Sequence, residues 1–148
     1  MNLFDSLTIS GSALSAERQR SEVIAANMAN AETTHTEAGG PYQRKEVVFQ
    51  SPGSSLFRLA LANTGNSGSP PAGSVQISEV VDDPTPPIMR YEPGHPDANQ
   101  AGYVAYPAIN PVMEMVDLMG SVRAYQLNAS AVAAAKQMIQ QAIGILKS

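Results

Sequence analysis

Apolar side chains recur at alternating steps of three and four residues along the C-terminal part of the chain. Starting from Met115, nine of the ten positions reached in this way are apolar or aromatic. This spacing is typical of a helix face that packs in a coiled-coil-like manner. Asn110 is a suitable helix cap, and Pro111 is well tolerated in a first turn. The pattern predicts a helix from about 111 to 146, with its apolar seam at Met115, Leu118, Val122, Tyr125, Ala129, Val132, Lys136, Ile139, Ile143 and Leu146.

A second apolar line follows the same segment beside this seam. It passes through Met119, Ala133, Met138, Ala142 and Ile145. The two lines together make an apolar arc wider than the stripe that a single partner helix covers. The pattern therefore predicts more than one neighbouring helix.

The first 30 residues also have helical spacing, although it is less regular. Steps of three and four from Leu3 reach five apolar positions out of eight, including Leu14, Ile24 and Met28. Gly11 lowers helix stability by about 1 kcal/mol relative to Ala, which predicts a break or a frayed turn there.

Two asparagines lie near the end of this N-terminal helix. We expect Asn30 to close the helix in the left-handed conformation that Asn tolerates. Asn27 lies within a helix otherwise suited to burial, and capping does not explain it. We expect its amide to form hydrogen bonds at a junction between chain segments or subunits.

The middle of the chain has a different composition. All 11 prolines lie between Pro41 and Pro111, and a helix interior excludes proline. Short β-favouring runs occur at 43–49, 75–77, 80–81, 88–91 and 103–106, whereas 51–74 has the Gly, Pro and Ser content of a loop. We predict a mainly α fold: an N-terminal helix in 1–30, a central region of short strands and loops in 31–110 that is too broken for a self-sufficient core, and a C-terminal helix in 111–148.

Composition and charge exclude several functional classes. The 148 residues include no Cys and carry a formal net charge of −4, most of it in the middle of the chain. Thiol catalysis and thiolate metal sites are therefore excluded, and without a basic patch neither nucleic acid nor anionic lipid is an expected partner. No apolar run approaches the roughly 20 residues that span a bilayer, and the N-terminus lacks the basic start of a secretory signal.

Candidate chemistry is sparse. His95 and Asp97 are the one His and carboxylate pair worth testing as metal ligands, and Asp82 with Asp83 is a possible acid/base pair. No third ligand for His95 and Asp97 can be named from the sequence, and adjacent residues at a turn, such as Asp82 and Asp83, more often face different ways. No glycine-rich phosphate loop is present. We expect no enzymatic activity, no cofactor, no metal site and no small-molecule substrate. The turn formed by Pro93, Gly94, His95 and Pro96 is interpreted as a structural corner between Tyr91 and Tyr103.

The run Ile24-Ala25-Ala26-Asn27-Met28-Ala29-Asn30-Ala31-Glu32-Thr33-Thr34 resembles the N-terminal signature of the bacterial flagellar axial proteins, the rod and hook family. Several further segments are similar to the proximal-rod members of that family. They are Gly39 to Arg44, Tyr91 to Ala98, Gly102 to Pro107, Asn110 to Val112, Glu114 to Asp117 and Arg123 to Gln126. Met113 departs from that pattern, in which an acidic residue is expected, and this puts one surface contact in question.

The resemblance implies a structural subunit of the rod, the drive shaft of the basal body. Its partners would be other proximal rod proteins, the hook-basal-body adaptor, the distal rod protein and further copies of itself in a helical assembly. It also implies a periplasmic location and export by the flagellar type III apparatus without a cleaved signal peptide. We expect the assembly interface to include Leu14, Ile24, Asn27, Met28, Asn30, Met115, Leu118, Val122, Tyr125, Val132, Ile139, Ile143 and Leu146.

Two other hypotheses remain open at this stage. A soluble two-helix adaptor would fold alone and keep both terminal helices ordered in the monomer. A small metal-dependent enzyme would bind a divalent ion through His95 and Asp97. For a rod subunit we instead expect the free monomer to be unfolded outside about Asn30 and Asn110, because two helices pairing only with each other leave the wide apolar arc exposed.

Overall fold

The computed structural model describes residues 3–51 and 73–147 and has two long helices connected through four short strands. This arrangement confirms the mainly α fold. The interpretation of 51–74 as a loop falls largely outside the described residues. The elements are α1 at Leu3–Ala29, β1 at Lys45–Gln50, β2 at Gln76–Asp82, β3 at Ile88–Tyr91, β4 at Tyr103–Tyr106 and α2 at Pro111–Lys147.

Helix α1 continues through Gly11, so the predicted break is wrong. Side-chain hydroxyl groups on either side bond to the preceding turn: Thr8 Oγ1 donates to the Phe4 carbonyl at 2.9 Å, and Ser12 Oγ donates to the Ile9 carbonyl at 2.7 Å. The cost of one glycine, about 1 kcal/mol, is small within a helix of 27 residues.

The end of α1 differs from the expected left-handed cap. Among the described residues only glycines have a positive φ, so Asn30 does not adopt the left-handed conformation. Its side chain caps the helix instead, because Asn30 Nδ2 donates to the Ala26 carbonyl at 2.9 Å. Asn30 Oδ1 accepts a hydrogen bond from Thr33 Oγ1 at 3.2 Å, which connects the helix end to the following turn.

The start of α2 has the predicted cap. Asn110 Oδ1 accepts a hydrogen bond from the Val112 amide at 3.0 Å, and the Asn110 carbonyl accepts one from the Glu114 amide at 3.1 Å. Pro111 occupies the first helical position, where a missing N–H costs nothing.

The strands form two separate two-stranded sheets, β1 with β2 and β3 with β4. The two runs predicted at 75–77 and 80–81 belong to the single strand β2. Strands β3 and β4 are antiparallel, with Tyr91 opposite Tyr103 and Ile88 opposite Tyr106. Val104 and Tyr106 are buried on one face of this hairpin, whereas Tyr91 and Tyr103 meet edge to face on the other, with ring centroids 5.3 Å apart.

The chain divides into two compact units. The central unit contains residues 20–48 and 79–120, and therefore the last turns of α1, the first turns of α2 and the β3–β4 hairpin. Its buried apolar residues include Ile24, Val104, Tyr106 and Ile109. The middle of the chain thus gains a core by incorporating the inner ends of both helices, which the division at residues 30 and 110 did not anticipate.

The terminal unit contains the described residues 3–19, 49–51, 73–78 and 121–147. Within it, Ser12 Oγ accepts a hydrogen bond from the Val75 amide at 3.1 Å. This contact joins α1 to the chain just before β2. Among the side chains described in this unit, Ala16, Ser74, Ser121 and Ala135 are buried.

Candidate assembly interface

Asn27 lies at a junction of three chain segments in the central unit, and 1% of its surface is exposed. Its Nδ2 donates to the Lys45 carbonyl at 2.8 Å and approaches Glu114 Oε2 at 3.4 Å. Its Oδ1 accepts from the Lys45 amide at 2.9 Å and from the Tyr42 hydroxyl at 3.2 Å. All the hydrogen-bonding capacity of a buried amide is therefore used.

Glu114 is the second polar residue of this junction. It is 1% exposed, although it belongs to the first turns of α2. Arg44 Nε donates to Glu114 Oε1 at 2.7 Å, so each carboxylate oxygen has a donor. This hydrogen bond raises the pKa of Arg44 above its ordinary value. The buried negative charge is paired, as burial of a carboxylate requires.

Arg44 also contacts two further acidic residues. Its guanidinium also pairs with Glu46 and lies 3.7 Å from Asp83 Oδ2. Its carbonyl accepts a hydrogen bond from the Asp83 amide at 2.7 Å. Hydrogen bonds from Thr85 to Asp83 Oδ1 hold the pKa of that carboxyl below its usual value. Asp83 is thus bound to Arg44 and Thr85.

Lys45 forms a more exposed ion pair nearby, with its Nζ 2.9 Å from Asp82 Oδ1. This bond raises the pKa of Lys45, whereas burial raises the pKa of Tyr42. We name Asn27, Tyr42, Arg44 and Glu114 the polar junction. It connects the end of α1, the segment entering β1 and the start of α2.

The turn at 93–96 is held by backbone and side-chain hydrogen bonds. His95 Nδ1 accepts from the Asp97 amide at 3.1 Å, and Asp97 Oδ2 accepts from Thr34 Oγ1 at 2.7 Å. The nitrogen of His95 nearest to Asp97 is therefore engaged by the backbone. Across the part of the chain that the structure describes, no three side chains of the metal-ligating types gather into a group.

Gly94 was expected to fix this corner, but its φ is not positive and a Cβ there would meet no atom within 4 Å. The position in this loop that requires glycine is Gly102, at the other end. Its φ is +80°, and a Cβ would lie 2.8 Å from Tyr91 Cε2. The available signal in the sequence is a glycine directly before the aromatic strand end at Tyr103.

The residues expected at the interface differ widely in exposure. Asn27 and Ile24 are buried, and Leu14, Met28, Asn30, Leu118, Val132 and Ile139 are half-buried. Met115, Val122, Tyr125 and Ile143 are exposed, and the side chain of Leu146 lies outside the described residues. Within this set, Asn27 contacts α2. The contact is made with Glu114, which is not part of the apolar seam.

Helix α2 exposes many of its large apolar side chains. Its buried residues, over the side chains described, are Glu114, Ser121 and Ala135. The second apolar line that the sequence predicts is also exposed at Met119, Met138 and Ile145. Val112, Val116 and Leu127 are exposed as well but belong to neither apolar line, and Met113, which departs from the family pattern, is also exposed. Neither helix, within residues 3–51 and 73–147, is apolar and long enough to cross a membrane.

Comparison with known proteins identifies chains of similar sequence. The family model described as flagella basal body rod protein matches residues 7–34, which include Asn27. The model described as flagellar basal body rod FlgEFG protein C-terminal matches residues 100–145, which include Glu114 and most of α2. A flagellar basal-body rod protein FlgC from Bacillus subtilis is 41% identical over 99% of this chain and all of its own length.

The chain belongs to the FlgC family of flagellar basal-body rod proteins. Other members are the FlgC proteins of Yersinia enterocolitica, 37% identical over 94% of this chain and 92% of that protein, and of Borreliella burgdorferi, 32% identical over 99% of both. Membership of the FlgC family makes the chain a structural subunit of the flagellar basal-body rod and not an enzyme. It also implies assembly with other rod or basal-body proteins.

Proposed function

We propose that the chain assembles through its terminal helices into the helical shaft that transmits torque and surrounds the export channel. One observation carries this proposal: α2 buries Glu114 and Ser121 while most of its large apolar side chains are exposed. The exposed side chains are Val112, Met113, Met115, Val116, Met119, Val122, Tyr125, Leu127, Met138, Ile143 and Ile145.

Burial of these apolar side chains against neighbouring subunits would be favourable. Burying one large aliphatic side chain contributes about 1.5–3 kcal/mol. So many exposed large apolar side chains on one helix are unusual on a monomer, and large exposed apolar patches mark interaction sites. Neighbouring subunits that cover the face would gain this contribution at many positions at once.

The width of the apolar face supports more than one neighbour. The seam through Val122 and Ile143 and the line through Met119 and Met138 lie side by side along α2. One helix covers one stripe, so two stripes require two packing partners. A heterologous contact joins two different surfaces of neighbouring subunits. A series of such contacts that does not close into a ring produces a helical assembly.

The partners proposed are further copies of this chain, other proximal rod proteins, the hook-basal-body adaptor and the distal rod protein. The proposed location is the periplasmic part of the basal body, after type III export without a cleaved signal peptide. Support comes from family membership, together with the resemblance of the chain to proximal-rod proteins. The buried residues Asn27 and Ile24, together with the half-buried residues named above, remain proposed interface positions.

A matched pair of surface variants tests this function. Leu127 is 73% exposed, and its neighbour Gln126 is exposed too. Leu127→Ser should prevent rod assembly and motility, whereas Gln126→Ser should leave both intact, since the two changes lower helix propensity by similar amounts. Subunit export and the free energy of unfolding should remain near wild type in both. Normal rods and motility with Leu127→Ser, Met119→Ser and Ile143→Ser would contradict assembly through this part of α2.

A further inference from the structure

The polar junction has a consequence for the folding of the free subunit. Every hydrogen-bond partner given above for Asn27 and Glu114 belongs to the central unit. Glu114 has both oxygens satisfied only when Arg44 and Asn27 are in place together. The first turns of α2 therefore cannot bury Glu114 without the end of α1 and the segment that enters β1.

We propose that the polar junction locks the inner ends of α1 and α2, residues 20–29 and 111–120, into the folded core of the free subunit. Only the outer segments of the helices are then left to fold on assembly. This places the order boundaries near Arg20 and Gly120, rather than near Asn30 and Asn110.

The size of the central unit agrees with such a core. Residues 20–48 and 79–120 together number about 70, within the range of small domains that fold alone. Its buried apolar residues come from α1, β4 and the chain before α2, with Ile24, Val104 and Ile109 among them. Removing the inner helix ends would expose this core and leave Arg44 without its buried partner.

The buried ion pair makes the lock cooperative. A buried carboxylate whose partner is lost costs far more than the intact pair contributes, so partly formed states are disfavoured. Either all three segments of the junction are ordered or none of them buries its polar groups. The inner end of α2 therefore presents Met115 and Val116 on a helix that is ordered before assembly, a consequence that rests on the proposed function.

Amide hydrogen exchange of the full chain, at a concentration where it is monomeric, tests the lock. Residues 22–29 and 114–120 should exchange at least about a hundredfold more slowly than residues 5–15 and 125–145. Arg44→Met should reduce the protection of both inner segments together, by about a hundredfold or more. Lys45→Met is the matched control, because Lys45 is half-exposed in its pair with Asp82 and should leave the inner segments protected.

Two further variants keep the test decisive if Arg44→Met does not fold. Glu114→Gln keeps the volume and an acceptor for Arg44 but removes the charge, so it should weaken protection in both inner segments by a smaller factor. The double variant Arg44→Met with Glu114→Met removes both charges and should recover protection relative to Arg44→Met alone. Inner segments that exchange as fast as the outer ones in the wild-type monomer would overturn the proposal. Loss of protection in only one of them with Arg44→Met would also overturn it. Neither result depends on rod assembly or motility.

Discussion

The side-chain amide of Asn27 is paired with the backbone of Lys45 as a neighbouring strand would be. Its Nδ2 donates to the Lys45 carbonyl at 2.8 Å, and its Oδ1 accepts from the Lys45 amide at 2.9 Å. A helical residue thereby satisfies both polar groups of the first residue of β1. This pairing gives a physical reason for an asparagine inside a helix, where its intrinsic propensity is poor.

Replacement of Asn27 by Leu should therefore be severe. The change leaves the amide and carbonyl of Lys45, which form part-buried hydrogen bonds, without their partner, and an unpaired polar group costs up to about 1–3 kcal/mol. We expect the free energy of unfolding to fall by about 2–4 kcal/mol, measured by urea denaturation. Rod assembly should be impaired while export of the subunit continues.

Asn128→Leu is the control for that change. Asn128 is half-buried in α2, and its Nδ2 donates to the Ala124 carbonyl of the same helix at 2.9 Å. The same substitution there removes a bond within one helix and should change stability by less than about 1 kcal/mol. Equal losses at the two positions would contradict a special role for the Asn27 pairing.

Gly102 should tolerate substitution less well than Gly94. A Cβ at Gly102 would meet Tyr91 Cε2 at 2.8 Å, and the left-handed conformation costs a non-glycine residue about 1–2 kcal/mol. Gly102→Ala should lower the unfolding midpoint in urea by an amount equivalent to at least that cost, and Gly94→Ala should leave it within error. A larger effect of Gly94→Ala would instead indicate that the turn from Pro93 to Pro96 fixes the corner between Tyr91 and Tyr103.

His95→Gln should preserve motility and change stability by less than about 1 kcal/mol, because the side chain lies in a loop and its Nδ1 accepts a single backbone hydrogen bond. Isothermal titration of the wild-type subunit with zinc or manganese should give no binding heat. Loss of motility in His95→Gln together with measurable binding of either ion would support the metal hypothesis at His95 and Asp97.

Stability should fall as the solution becomes alkaline. Burial raises the pKa of Tyr42 above its ordinary value of 10.0, so the unfolded chain releases this proton at a lower pH than the folded one. The stability that Tyr42 contributes is present below pH 10 and is lost as pH rises beyond it. Lys45 acts in the same direction, since its bond to Asp82 raises its pKa above 10.5.

Urea midpoints between pH 8 and pH 11 measure this effect. Tyr42→Phe lacks the hydroxyl that donates to Asn27, so it should be less stable than wild type at pH 8. Its stability should nevertheless fall less steeply above pH 10, because the ionising group is gone. Parallel curves for the two proteins would show that Tyr42 does not contribute to the alkaline loss.

The positions of the helices followed from sequence, but the orientation of their faces did not. Steps of three and four from Met115 predicted α2, and Asn110 predicted its start. Periodicity assigns the apolar side to the inside, yet α2 buries Glu114 and exposes Met115. The partner of Glu114 is Arg44, 70 residues earlier in the chain, and no local pattern connects the two.

Trypsin should distinguish the outer helix segments from the central unit in the free subunit. Lys136 lies in the outer part of α2, whereas Arg44 belongs to the polar junction. Ordering a residue costs about 1.5 kcal/mol, and α2 beyond Gly120 leaves large apolar side chains such as Leu127 and Met138 in water. We expect cleavage after Lys136 to be fast and cleavage after Arg44 to be slow in the monomer, as followed by mass spectrometry.

Assembly should remove this difference, because neighbouring subunits would cover the outer part of α2 and offset the cost of ordering it. In rods assembled from the same protein, cleavage after Lys136 should become as slow as cleavage after Arg44. Leu127→Ser serves as the comparison, since a subunit that does not assemble should still be cleaved rapidly after Lys136 under the same conditions. A monomer that resists trypsin equally at both positions would instead have helices that fold without neighbours, and the chain would then behave as a self-contained adaptor.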